Sequence, residues 1–248
     1  MFADIRKNAP VKKASRALIL LAFHACTTKP VVPVTRIGEL EDMIKKGDLS
    51  TKAKLSDFSN SPHLYAIGSI TNLDGFIQII DGKPYNASLV NGSLQIDSSF
   101  NDEATGMLYT NVDEWKEFDL PAGITTWKQL EQFIGEQLMK HKISVSAASP
   151  FLLRGIAAGV KWHVMDWDLN DKEVTYKKML ERGLHGDLQN EDITAVGFYS
   201  KESYRVLTNK ELNMQIHFVN HNHTVAGYMD DITLDGRLKL YLPKKLEE

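Results

Sequence analysis

Three of the chain's eight histidines stand close together near the C-terminus. The surrounding pattern predicts a β-hairpin, in which His217 lies in an apolar-alternating arm and His221 and His223 fall in or near the polar turn. Imidazole is the commonest metal ligand among side chains, and residues two apart share one face of a strand. His221 and His223 have that spacing, so they are candidate metal ligands. The alternative interpretation is a polar turn whose side chains point into water.

Other chemistry-bearing residues are more isolated in the sequence. His163 stands between two apolar residues. It is either a catalytic group or a histidine of the core. His185 is followed closely by an acidic residue but by no partner motif. Asp230 and Asp231 form an acidic pair that we interpret as a solvated strand end. The chain has no nucleophile elbow, phosphate loop or dinucleotide fingerprint.

Hydrophobic periodicity predicts the elements that must position these groups. A helix over about 36–46 ends at Gly47, whose left-handed conformation suits a helix stop. A β-meander with glycine turns follows, and Thr125 or Thr126 then caps the best helix of the chain. The later segments are two strands over 151–167 broken near 155–159, a helix over 174–184 and a strand over 193–199. The expected class is α+β, with mixed or antiparallel sheets and a few packed helices.

Composition excludes several classes of function. With 248 residues and 43% hydrophobic content, the chain can form one large domain or two small ones. A formal net charge of −3 gives no electrostatic footprint for nucleic acid, so no nucleic-acid partner is expected. One cysteine excludes an internal disulfide framework and a cysteine-rich zinc site.

That cysteine, Cys26, closes an apolar run that follows several basic residues. This order is typical of an export signal, and a cysteine at the cleavage point resembles a lipoprotein signal. Residues 1–33 are therefore predicted to be a signal and linker, with the mature protein exported and held at the membrane only by a lipid on Cys26. The alternative is an ordinary N-terminal helix with a buried cysteine in a cytoplasmic protein.

The order of several segments resembles that of acetolactate decarboxylases. The segments are residues 47–51, 55–58 and 68–75 in the first half, and 196–199, 216–218 and 240–243 in the second. The resemblance covers about residues 36–243. It implies two similar subdomains, 34–124 and 125–248, a possible homodimer, and decarboxylation of 2-acetolactate to acetoin through a metal-stabilised enediolate.

The resemblance also implies a zinc site made by three histidines, an arginine that orients the carboxylate and a glutamate after the Leu-Asp-Gly turn. In this chain the histidine positions fall on Gln215, His217 and Tyr228, the arginine position falls near His163, and the glutamate is Phe76. An amide is a weak zinc ligand, and a tyrosine ligates well only as phenolate.

Two functions follow from these substitutions. The first is a carboxy-lyase of the acetolactate decarboxylase type with an altered site, which uses zinc or another divalent metal and acts on a small carboxylate such as 2-acetolactate. The second is an inactive relative, with no metal, that binds a small ligand or a protein at the cell envelope. A third, a different metal enzyme, would use His217 with His221 or His223.

Overall fold

A computed structural model describes residues 32–202 and 212–244 of the chain. The predicted signal segment and its lipidation site, Cys26, lie outside the described residues, apart from 32 and 33. No helix of the described part is both long enough and apolar enough to span a membrane.

The first sheet has eight antiparallel strands in the spatial order β1-β8-β3-β4-β6-β7, with the short β2 on β8 and β5 on β4. The meander predicted over residues 64–96 forms the side of the sheet that runs from β3 to the edge strand β7. The strands are β1 Thr35–Ile37, β2 Ala53–Lys54, β3 Leu64–Ile70, β4 Phe76–Ile80, β5 Lys83–Pro84, β6 Asn86–Val90, β7 Ser93–Asp97 and β8 Glu103–Asn111.

Helix α1, Leu40–Lys46, ends at Gly47 in the left-handed conformation, as its sequence predicts. It begins later than expected, because the residues before it form β1. The Leu-Asp-Gly turn joins β3 to β4, and Gly75 there has φ +130°. A Cβ at Gly75 would lie 2.2 Å from the Ala87 carbonyl oxygen, so only glycine fits the turn that aims Phe76 into the protein.

The second sheet has six antiparallel strands in the order β11-β12-β13-β10-β14-β9. Strand β10 pairs with β11 along one edge and with both β14 and β13 along the other, while β11 also pairs with β12. The pairings of β10, β11, β12 and β13 therefore close a ring. The strands are β9 Trp115–Asp119, β10 Ser149–Val164, β11 Leu184–Tyr199, β12 Met214–Asn220, β13 Ala226–Thr233 and β14 Leu238–Pro243.

Three predictions for this half need correction. The two strands expected over 151–167 are one strand, β10, because Gly155 adopts φ +119° against the Arg237 carbonyl and bends the strand without ending it. Strand β11 begins at Leu184 rather than Ile193, since its polar first half pairs with β10. The helix expected over 174–184 is shorter, the six-residue helix α3, Tyr176–Glu181, which is capped by Thr175.

Helix α2, Trp127–Lys140, begins with a capping box. The Thr126 hydroxyl accepts the backbone N–H of Gln129, and the Gln129 side chain accepts the backbone N–H of Thr126. Leu130, Ile134 and Leu138 are fully buried at helical spacing. The helix therefore lays one apolar face on the sheet side, as its periodicity predicts.

The two sheets share one large apolar core, to which β3 contributes Tyr65 and Ile67 and α2 contributes its buried face. The α+β class, with antiparallel sheets and few helices, is thus confirmed. Strand β9 pairs with β14 in the second sheet, so the change of sheet falls between Asn111 and Trp115. The subdomain boundary at 124 stays a prediction.

Candidate functional site

Four candidate residues form one row across four neighbouring strands. His185 on β11 pairs with His163 on β10, His163 pairs with Tyr228 on β13, and Tyr228 pairs with His217 on β12. Directly opposed residues of antiparallel strands lie on the same face with their Cβ atoms about 5 Å apart. The row is therefore built by strand register, from residues that lie between positions 163 and 228 of the sequence.

Phe76 covers the centre of this row from the first sheet. Its ring centroid lies 5.2 Å from that of His163, 5.0 Å from that of His217 and 5.6 Å from that of Tyr228. The contacts to both histidines are edge-to-face, the favoured geometry of aromatic pairs. A buried benzyl group thus occupies the position where the resemblance implies a glutamate.

His217 is fully buried and neutral. Its Nδ1 lies 2.9 Å from the Ile77 carbonyl oxygen and its Nε2 lies 3.2 Å from Gln215 Nε2. A carbonyl cannot donate, so Nδ1 carries the proton and Nε2 accepts from the amide of Gln215. Burial lowers the pKa of His217 to about 3, an effect that the Ile77 hydrogen bond opposes and nearby His163 reinforces.

Tyr228 is also buried and remains a phenol. Burial raises the pKa of Tyr228 well above its ordinary value, and the neighbouring Tyr176 adds to the rise. The phenolate that a metal would require is therefore unfavourable in this site.

The donor set at the three positions that the resemblance assigns to zinc does not fit the ion. The lone pair of His217 Nε2 accepts a hydrogen bond from Gln215, Tyr228 keeps its proton, and Phe76 packs against both rings. Only one imidazole is present, where structural and catalytic zinc sites use three or four strong donors.

The buried His163 forms a pair with the partly exposed Asp230. Its Nδ1 lies 2.9 Å from each carboxylate oxygen of Asp230, and its side chain is fully buried. Its Nε2 is buried as well and has no hydrogen-bond partner among the described residues. An imidazole held by a carboxylate at one nitrogen and bare at the other is the arrangement of a general base or a hydrogen-bonding group for a ligand.

Asp230 is exposed, as the sequence interpretation expected, but it lies within β13 rather than at a strand end, and its contact with His163 was not predicted. A bulge near Lys161 and Trp162 shifts the register of β13 against β10 and brings the carboxylate to His163. Bulges re-aim side chains in this way, and the alternating pattern of a sequence does not reveal them.

His185 stacks on His163 at the edge of the row. The ring centroids are 5.2 Å apart with an interplanar angle of 20°. His185 is exposed, and its Nε2 lies 3.3 Å from the Glu181 carbonyl oxygen. One donor atom from each of His163, His185 and Asp230 lies within 4.8 Å of the donor atoms of the other two residues.

The alternative pair, His221 and His223, lies in the turn between β12 and β13, and both side chains are exposed. Nδ1 of His221 is 3.9 Å from Asp192, and the His223 ring lies against Tyr85. Neither residue joins the His163 group, and their role as metal ligands stays a prediction.

A cavity of about 90 Å³ opens beside the row, between the two sheets. Its walls are mostly apolar, with Phe76, Met43 and Met179 among them, and its polar groups come from opposite sides. Arg36 approaches from β1, while His163 and Gln215 approach from the second sheet. The guanidinium of Arg36 also pairs with Glu39 at 3.0 Å.

Sequence reasoning missed Arg36 and gave His185 no role. Arg36 lies in a short strand that was predicted to be the start of a helix. The sequence pattern therefore did not indicate that Arg36 lines the cavity. His185 had one usable signal, because an antiparallel pairing of β10 with β11 places it opposite His163. The late start predicted for β11, at Ile193 rather than Leu184, hid that pairing.

The structure is similar to three solved structures over most of its length. A protein of unknown function similar to α-acetolactate decarboxylase from Staphylococcus aureus has a TM-score of 0.68 and 16% identity, and the match covers 86% of each chain. The α-acetolactate decarboxylase of Bacillus subtilis strain 168 has a TM-score of 0.67 and 16% identity, covering 85% of each chain.

The enzyme from Bacillus subtilis subspecies spizizenii has a TM-score of 0.67 and 17% identity, with 85% of this chain and 86% of that chain covered. No protein-family model and no curated protein matches the sequence. At identities this low the likeness establishes the fold, and the chain has the acetolactate decarboxylase-like fold.

Proposed function

We propose that this chain is a small-carboxylate-binding protein on the acetolactate decarboxylase-like fold, without the decarboxylation that the fold carries in its solved enzymes. The observation that carries the proposal is the replacement of the metal-ligand set by a buried hydrogen-bonded pair, His217 with Gln215, under the ring of Phe76. These residues are weak donors for a Lewis acid, and Phe76 stands where the resemblance implies a carboxylate.

The ligand class follows from the polar groups of the cavity. His163 lines the cavity, and its buried Nε2 has no hydrogen-bond partner among the residues that the structure describes. Arg36 supplies a permanent positive charge to the same cavity. A guanidinium beside an imidazole suits a carboxylate, and the apolar walls suit a short carbon chain such as that of 2-acetolactate.

The test is calorimetric titration of the protein with 2-acetolactate, followed by assay of the same mixture for acetoin. We expect binding without acetoin, with or without added zinc, manganese or iron. His163→Asn should weaken binding roughly 10- to 100-fold, as expected for loss of a hydrogen bond to a charged group. His223→Ala, which removes an exposed histidine remote from the cavity, is the matched control and should bind like the wild type.

Decarboxylation of the same ligand is the second candidate function. It is favoured by the His163–Asp230 pair, which could deliver a proton to a carbanion in the cavity. Formation of acetoin that disappears in His163→Asn would support it and would overturn the first proposal. Absence of both binding and acetoin would overturn both.

A further inference from the structure

We infer that His163, His185 and Asp230 form a binding site for one divalent transition-metal ion, a site distinct from the three positions that the resemblance assigns to zinc. The three residues come from β10, β11 and β13, and their donor atoms lie within 4.8 Å of one another. Two imidazoles and one carboxylate form a donor set that suits zinc or iron(II), with the remaining coordination positions open to water.

The hydrogen bonds around the two imidazoles determine which ring nitrogen of each is available to a metal. Nε2 of His185 faces the carbonyl oxygen of Glu181 at 3.3 Å, so the proton is held there and Nδ1 is left with its lone pair. A backbone carbonyl on the second ring nitrogen is the usual support of a metal-bound histidine. Nδ1 of His163 already faces both oxygens of Asp230, so an ion would replace the proton that they share.

One of the three residues is buried and the other two are exposed to solvent, which would allow an ion to enter the site from water. His163 is fully buried and fixed by Phe76 and Tyr228, whereas His185 is exposed and Asp230 is partly exposed. Ligands of a tetrahedral zinc ion lie about 3.3 Å apart, so the donors must approach one another. The exposed ring of His185, held by one long hydrogen bond, can make that adjustment.

The site does not depend on the proposed carboxylate function. Neither His185 nor Asp230 is among the residues that line the cavity, whereas His163 is. A metal on Nδ1 of His163 would leave Nε2 uncoordinated, and His185→Ala would remove a metal ligand without changing the lining of the cavity. Loss of the ion and loss of carboxylate binding are therefore separable in experiment.

The test is equilibrium dialysis of the full, untagged chain against micromolar zinc, with metal content measured by mass spectrometry. We expect one zinc per chain. His185→Ala and Asp230→Asn should each weaken binding at least about tenfold, since even loss of a supporting partner behind a ligand costs about that much. The double variant His221→Ala/His223→Ala removes two exposed histidines and should bind like the wild type.

Circular dichroism in the presence of EDTA identifies any variant that is unfolded. Because His185 is exposed, we expect His185→Ala to disturb the fold less than Asp230→Asn. Retention of zinc by folded His185→Ala would overturn the assignment. So would its loss in His221→Ala/His223→Ala, or the absence of stoichiometric zinc from the wild type.

Discussion

The buried neutral His217 makes stability depend on pH in a predictable direction. Its pKa is about 3 in the folded chain, against an ordinary value of 6.5. Between these values the unfolded chain binds a proton that the folded chain does not, so the free energy of unfolding rises with pH. The stabilisation is fully present above pH 6.5 and is lost progressively as the pH falls toward 3.

The magnitude follows from the two pKa values. Each pH unit inside the window changes the free energy of unfolding by about 1.4 kcal/mol. Between pH 7.5 and 4.5 the loss amounts to about 2.5 kcal/mol on the order-of-magnitude scale of such shifts. Carboxylates titrate in the same range, so the wild type must be compared with a variant that lacks the imidazole.

His217→Gln is that variant, because its amide can still donate to the Ile77 carbonyl. Urea unfolding of both proteins should be measured at half-unit steps from pH 7.5 to 4.5. The stability of the wild type relative to His217→Gln should fall by about 2.5 kcal/mol across this range. A difference that does not change with pH would refute the assignment of His217 as a buried neutral imidazole.

Two further substitutions test the packing that positions the row. Phe76→Ala removes the ring over His163 and His217 and should cost about 3–5 kcal/mol by urea unfolding; a cost below about 1 kcal/mol would show that the ring does not pack there. Thr126→Ala removes the capping box of α2 and should lower stability by about 1 kcal/mol, with Lys128→Ala as an exposed control; equal stability of these two variants would contradict the role of the cap.

Local pattern was sufficient for much of the fold. Strands β3 and β4 begin and end where their apolar runs do, and Thr126 and Gly47 act as the caps their residue types predict. These features depend on residues close together in the sequence. Glycine was a less reliable guide to where strands end, because β10 continues through Gly155, where a break was expected.

The site depended on information that the sequence pattern does not contain. The row from His185 to His217 arises from the register of four strands, and the contact of Asp230 with His163 arises from a bulge. The resemblance brought His217, Gln215 and Tyr228 forward as neighbours, and their strands do pair. It gave no indication of the hydrogen bond between Gln215 and His217, or of the ring of Phe76 lying over the row.

The central claim is that this site binds a small carboxylate without decarboxylating it. The most direct measurement combines calorimetric titration with 2-acetolactate and an acetoin assay of the same sample, supplied with zinc. The account predicts saturable binding that His163→Asn weakens, and no acetoin. Acetoin produced by the wild type and lost in His163→Asn would contradict it.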